Sequence, residues 1–177
     1  DVIVRSSDMV DFHAHKAILS FGSVVFKNMF SFPEPIGQDA NLTREGKRVV
    51  ILPEDCKTVE KLLILCYPRF TSSYLFQHLD GVDAAYEAAG KYQIPGGRQL
   101  LQQVLEDPRF LTEEPHRVFA IACHRGLEKL AKSAAIETLK LSMNAPDRPV
   151  PEFRLISAHQ LWQLQAYRSR CSQAIAE

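Results

Sequence analysis

Within the first thirty residues the apolar period of this chain changes, and that change limits its fold more than any other feature. Val2 and Val4 alternate with Ile3 and Arg5. After the polar turn Ser6-Ser7-Asp8, the residues Val10, Phe12 and Ala14 share one face, the period of two that belongs to strands. From His15 the spacing becomes helical. Ala17, Ile18, Leu19 and Phe21 run to Gly22, and Ser23 is placed to cap a second short helix carrying Val25, Phe26, Met29 and Phe30. A β-hairpin followed at once by two short helices calls for a small sheet with helices laid on it.

The rest of the chain extends that pattern. Ser31 to Lys47 is polar and holds Pro33, Pro35, Gly37 and Gly46, a long loop that reads either as disordered or as a binding surface. Arg48 to Leu52 is a third, apolar strand of the kind covered on both faces, and Pro53 ends it. Asp55 or Thr58 caps a helix in which Val59, Leu62, Leu63 and Cys66 keep helical spacing until Pro68. A helix from Val82 shows Ala85, Tyr86, Ala89 and Tyr92 on one side, and one from Arg98 shows Leu100, Leu101, Val104 and Leu105. Beyond Asp107-Pro108 the pattern is wholly helical. Val118, Ile121 and Ala122 form one face, Gly126 makes a break, and Leu127, Leu130, Ala131, Ala134 and Leu139 form a longer stripe. Pro146, Pro149 and Pro151 interrupt it before a last helix from about Ser157, with Leu161, Trp162, Leu164 and Tyr167, and Ile175 near its end. The fold class expected is α+β (α/β mixed): a small mixed β-sheet flanked by helical hairpins over 1–107, then an α-helical C-terminal extension over 108–177.

Composition narrows the function classes. Lys plus Arg and Asp plus Glu each number 21, so no net field draws the chain to phosphates or anionic membranes, and nucleic acid is not an expected partner. No apolar run approaches the ~18 residues of a membrane span, so the chain reads as soluble. It opens at Asp1 without a methionine and reads as a piece of a longer protein. Cys56, Cys66, Cys123 and Cys171 lie far apart, with no pair at metal or redox spacing, and read as reduced thiols of the cytoplasm or nucleus.

One stretch has a specific likeness. The strand opening Asp1-Val2, then Phe12-His13-Ala14-His15-Lys16-Ala17-Ile18-Leu19, then Ser23, Phe26, Met29 and Phe30 resemble, in order and spacing, the opening of the BTB/POZ family. Leu62-Leu63, Tyr67 and Ala88-Ala89-Gly90-Lys91-Tyr92 followed by Ile94 continue the resemblance to Asp107. Leu52-Pro53-Glu54-Asp55-Cys56-Lys57-Thr58 and Cys66-Tyr67-Pro68 look most like the fungal members, in which a helical tail such as His116 to Leu141 commonly follows. Animal members usually have a Tyr-Thr-Gly turn and a short strand where this chain has Tyr67-Pro68-Arg69 and a longer segment. The resemblance implies a protein–protein interaction module and no enzyme, cofactor or small-molecule substrate. It implies a dimer formed through the first helix and adjoining surface, so Lys16, Leu19, Phe21, Val24, Lys27 and Phe30 are the candidate interface. Asp1, Phe12, His15, Ser23 and Phe26 are the family's structural positions, His15 packing and hydrogen-bonding at the strand-to-helix corner. Two narrower uses follow from the family: a substrate adaptor of a cullin-type ubiquitin ligase, contacting through Thr58 to Cys66 and the segment after it, or a transcriptional regulator acting through a segment outside this chain. Family dimers often exchange a strand preceding the one at Asp1, which makes a monomeric domain a rival reading.

Other residues could carry chemistry. His13 and His15, two apart, could share a metal, but two ligands rarely suffice, and His13 is expected to face solvent. Cys123-His124 could suggest a thiol nucleophile and base, yet adjacent helical residues point ~100° apart, so Cys123 is expected to pack. Cys56 is the other thiol that an enzyme reading would use. Arg44, Lys47 and Arg48, close to Asp39 and Glu45, read as a mixed-sign solvated loop ahead of a phosphate site. Tyr67, Phe70, Tyr74 and Phe76 either cap the core or anchor an interface. Trp162, with Leu161 and Leu164, is expected in the helix core.

Overall fold

In the computed structural model the described residues are 1–32, 43–67, 76–141 and 149–176. They divide into two compact units, Asp1–Gln102 and Gln103–Glu177.

The first unit is built on a mixed sheet of order β2-β1-β4-β3, with β1 Val2–Arg5, β2 Asp11–Ala14, β3 Thr43–Arg44 and β4 Lys47–Ile51. The hairpin read from the sequence is present, with Val2 opposite Ala14 and Arg5 opposite Asp11. Ser6 closes its turn: its backbone N–H donates to the Val10 carbonyl (3.0 Å) and its Oγ accepts from Val10 N–H (3.1 Å). Met9 supplies the left-handed residue of that turn at φ 65°. β4 runs parallel to β1, Val2 pairing with Arg48 and Arg5 with Ile51, a pairing that needs a crossover, here helical. β1 is buried on both faces, since Val2, Ile3 and Val4 are all fully covered. The expectation of double coverage for the third strand holds at Val49 and Val50 and fails at Ile51, which is exposed at the strand's end.

The crossover is α1 Lys16–Gly22 and α2 Val24–Ser31. Leu19 and Phe26 turn inward and join Val2, Val4, Ala14, Val50, Leu52, Val59, Leu62 and Tyr92 in the core. α1 reaches α3 (Cys56–Cys66) through a glycine, for a Cβ on Gly22 would sit 2.7 Å from the Cys66 Cα. Asp55 caps α3 by accepting from Thr58 N–H at 2.9 Å. α4 Val82–Lys91 packs on α3, and α5 Gly97–Leu105 follows it, running past the end of the first unit at Gln102. Of the loop read between Ser31 and Lys47, Thr43 and Arg44 pair with Arg48 and Lys47 as an edge strand, while 33–42 lie outside the described residues.

The second unit is helical: α6 Pro108–Glu113, α7 Pro115–His124, α8 Glu128–Thr138, a 3₁₀ turn Pro151–Leu155 and α9 Ala158–Ala176. Asp107 caps α6 at Arg109 N–H (2.9 Å). Pro108 and Pro115 each open a helix, where a missing N–H goes unused. α7 is buried from Val118 to Ala122, and Leu130, Ala134 and Thr138 of α8 form a buried stripe at spacing four. Ser157 and Gln160 form a reciprocal capping box at the start of α9: Gln160 N–H donates to Ser157 Oγ (3.2 Å) and Ser157 N–H donates to Gln160 Oε1 (2.9 Å).

Candidate interaction surface

The corner between α1 and α2 turns on one hydroxyl. Ser23 Oγ accepts from Phe26 N–H at 3.1 Å, starting α2, and donates to the Tyr92 carbonyl at 2.6 Å. Val24 N–H then reaches the Gln93 carbonyl at 3.4 Å. The corner is thereby tied to the end of α4, and Phe26 is stacked between Phe30 and Tyr92, with ring centroids 6.0 and 5.1 Å away. Tyr92 donates to Glu54 Oε2 at 2.7 Å while Lys91 Nζ donates to Oε1 at 2.6 Å. Burial and the neighbouring carboxylate hold the Tyr92 phenol protonated, far above its ordinary range.

On the outside of this fixed corner stand Phe21, 86% exposed, and Val24, 43% exposed. With Ser20, Lys27 and Pro95 they line an open groove of about 410 Å³. Of the six residues read as a candidate interface, Phe21, Val24 and Lys27 are exposed and Lys16 and Phe30 half-buried. Leu19 is not on the surface. It lies on the side of α1 that faces the sheet and is fully buried, so its contribution is to the core.

The structural positions read from the sequence resolve individually. Asp1 is exposed, yet its Oδ1 accepts from Lys16 N–H at 2.8 Å and so satisfies the first turn of α1, which its own N-cap His15 leaves open. His15 is exposed, with its ring edge-on to that of Tyr67 at 6.1 Å. Its ring Nδ1 lies 2.9 Å from Tyr67 Oη, and its backbone N–H donates to the same oxygen at 3.1 Å. Phe12 is half-buried against the core, and Ser23 and Phe26 are fully enclosed.

The remaining candidates separate in space. His13 faces solvent beside Lys47 Nζ (3.4 Å) and does not share a partner with His15. Among the described residues, no group of three or more His, Cys, Asp or Glu is placed to hold a metal ion. The four cysteines are free. Cys56 has its pKa raised by hydrogen bonding to Asp8, Cys66 is pushed up to about 12 by burial, and burial also raises Cys123. His124 Nδ1 lies 3.0 Å from the Leu155 carbonyl. Of the aromatic segment, Phe76 is fully buried and Tyr67 half-buried against the core, while Phe70 and Tyr74 lie outside the described residues, as does Asp39. Arg44 pairs with Asp11 and Lys47 with Glu45, whereas Arg48 is half-buried. Trp162 overturns its expectation. It is 63% exposed and stacks on His159 at 6.0 Å, while Leu164 is the buried member of that trio.

Two polar networks had no signal in sequence spacing. Asp11 Oδ1 accepts from Arg5 Nε at 2.6 Å and its Oδ2 from an Arg44 guanidinium nitrogen at 2.6 Å, so the two guanidinium groups hold its carboxyl down to about 2. Arg117 grips Glu152 with two bonds, Nε to Oε2 at 2.9 Å and a terminal nitrogen to Oε1 at 2.6 Å, and reaches Glu114 at 2.7 Å. Among the described residues, no helix is long and apolar enough to cross a membrane. A model of the BTB/POZ domain matches residues 1–108 of the chain. No curated protein matches it.

Proposed function

The chain belongs to the BTB/POZ family, whose domains are protein–protein interaction modules, and we propose on that premise that it is a dimerising scaffold or adaptor working through its α1–α2 surface. The supporting observation is Phe21, a phenylalanine left 86% exposed on a corner otherwise fixed by hydrogen bonds and aromatic packing. An apolar ring on a rigid support is what an interface anchor requires. The BTB/POZ domain is assigned to 1–107 and an accessory helical extension to 108–177. The wording from Leu52 to Thr58 supports a reading within the fungal branch, and four free thiols support the cytoplasm or nucleus as its setting.

Light scattering across a concentration series tests the reading on the chain as it is. A mass of about 40 kDa, twice the 20.0 kDa chain, is the expected result, and a steady 20.0 kDa removes the dimer. The narrower cullin-adaptor reading places contacts on α3, which keeps Lys57 and Glu60 at its surface. A pull-down that recovers no cullin removes it. A role in transcription needs a DNA-reading segment beyond these residues.

A further inference from the structure

β2 ends the sheet on its side, and its pairing with β1 has a fixed phase. Ser6 N–H donates to the Val10 carbonyl, so by the alternation of an antiparallel ladder Val4–Phe12 and Val2–Ala14 exchange bonds, while Asp11 and His13 turn their N–H and C=O groups outward. Arg5 and His15 agree with that phase. The Arg5 carbonyl accepts from Leu52 N–H on the β4 side (2.8 Å), and the next outward N–H along the edge, that of His15, finds Tyr67 Oη. For the outward groups of Asp11 and His13 no such partner is present among the described residues, and His13 is exposed. The usual guards of an edge, a proline, a lysine or a bulge, are missing from Asp11–Ala14, and its one acidic side chain is drawn back onto the sheet by Arg5 and Arg44.

We propose that β2 pairs with β2 of a second copy of this chain, antiparallel about a two-fold axis at Phe12, so that the two sheets run into one. In that register Asp11 of each copy stands opposite His13 of the other, and Phe12 opposite Phe12. The outward N–H and C=O groups of Asp11 and His13 then satisfy one another across the seam. The side chains also match. Among the described residues Asp11 Oδ1 accepts one bond, from Arg5 Nε, and keeps a lone pair. His13 Nδ1 lies 3.4 Å from Lys47 Nζ, and an ammonium can only donate, so the imidazole proton sits on Nε2 and can be given to that oxygen in the second copy.

Any extended segment can use the backbone groups of an open edge. What selects a second copy is the match of Asp11-Phe12-His13 to its own reverse, acid facing imidazole and ring facing ring. A slip of two residues sets Asp11 against Asp11 or His13 against His13 and loses half the backbone bonds, because the His15 N–H is already taken and Met9 lies in the turn. So short a seam is weak by itself and acts at high concentration or beside another contact. It goes beyond the α1–α2 reading and shares no residue with that surface, so a chain that uses both assembles past the dimer.

The test captures the register chemically. The full chain carrying Asp11→Cys is mixed with the chain carrying His13→Cys under mild oxidation, and disulfides are mapped by peptide mass spectrometry, which separates them from products of the native thiols. Hydrogen-bonded pairs hold their Cα atoms about 5.5 Å apart, within disulfide reach. The mixture should join position 11 to position 13 at roughly tenfold the yield of 11–11 and 13–13 products. Light scattering follows the wild type, His13→Pro and His13→Asp over a concentration series. His13→Pro removes an outward N–H, which an edge strand tolerates, and should raise the concentration at which mass climbs by about thirtyfold, two backbone bonds being lost. His13→Asp sets like charges opposite each other and should raise it about tenfold. Equal melting temperatures certify the variants, and if His13→Pro melts early, His13→Asp decides. Predominance of 11–11 or 13–13 products, no 11–13 product, or unchanged mass curves for the certified His13 variants overturns the inference. Phe21→Ala keeps the two readings apart: if it lowers the mass while the 11–13 disulfide persists, both contacts stand, and if only the His13 variants lower it, the edge stands and the α1–α2 dimer falls.

Discussion

Two short connections in this molecule are fastened by different means. The α1–α2 corner is held by close approach and neutral hydrogen bonds: Gly22 against Cys66, the Ser23 hydroxyl between Phe26 and Tyr92, and Phe26 between two rings. The Pro151–Leu155 turn is held to α7 by charge, through the paired bonds of Arg117 to Glu152, supplemented by His124 at the Leu155 carbonyl and His116 edge-on to Phe153 at 6.0 Å. The difference concerns what each fastening demands. An apolar corner is stabilised by volume and fails when volume is removed. An ion pair taken out of water is stabilised only while both members are present and bonded.

The comparison breaks first, if it breaks, at Phe26. Phe26→Ala removes a fully buried ring from the centre of the first unit and should cost about 3–5 kcal/mol, read as a lowered denaturant midpoint. A cost under about 1 kcal/mol would mean that the corner is not held by volume. Glu152→Gln is the matching test at the turn. It keeps the shape and removes the charge from a carboxylate only 11% exposed, leaving Arg117 with Glu114, and should cost about 2 kcal/mol. Amide exchange should quicken within Pro151–Leu155. Uniform acceleration through α7 and α8 would show that the clamp holds the whole unit instead of the turn.

Ser23→Ala sharpens the corner. Losing the cap of α2 should cost about 1 kcal/mol, and Ser23→Thr should recover much of it because the hydroxyl survives. Rescue by Thr is the informative result, since a purely steric role for Ser23 predicts the reverse.

What could be read beforehand follows the same division. Ser23 and Phe26 were legible because a cap and a helical face are local patterns, and the hairpin was legible because Val2, Val4, Phe12 and Ala14 alternate. The Arg117–Glu152 clamp was not legible, since its partners lie 35 residues apart and any Arg and Glu in a helical stretch look alike. Leu19 and Phe21 are both apolar members of one short helix, and spacing does not tell which looks toward the sheet. Trp162 failed for a related reason. The buried side of α9 is made by Leu164 and Arg168, and Arg168, bonded to the Leu141 carbonyl at 3.3 Å, does not read as a core residue. With the arginine assigned to solvent, the tryptophan takes its place in the pattern. β3 is two polar residues and has no period to detect.

The smallest effect tests whether the first unit is as free of charge dependence as its corner suggests. Asp11 lies between Arg5 and Arg44 on the sheet, its carboxyl held down to about 2 by those two partners. In an unfolded chain an aspartate titrates near ~3.9. A group whose folded value is depressed contributes stability that is complete above the unfolded value and is lost as the pH falls through the folded one. The Asp11 contribution should therefore be constant from neutral pH down to about 5 and disappear between about 4 and about 2. Thermal melts across that range should show the wild-type chain losing stability more steeply than Asp11→Asn, which has no carboxyl to protonate. If the two curves stay parallel below pH 4, the network is screened by solvent, and the sheet, like the α1–α2 corner, is held by packing and backbone pairing without help from charge.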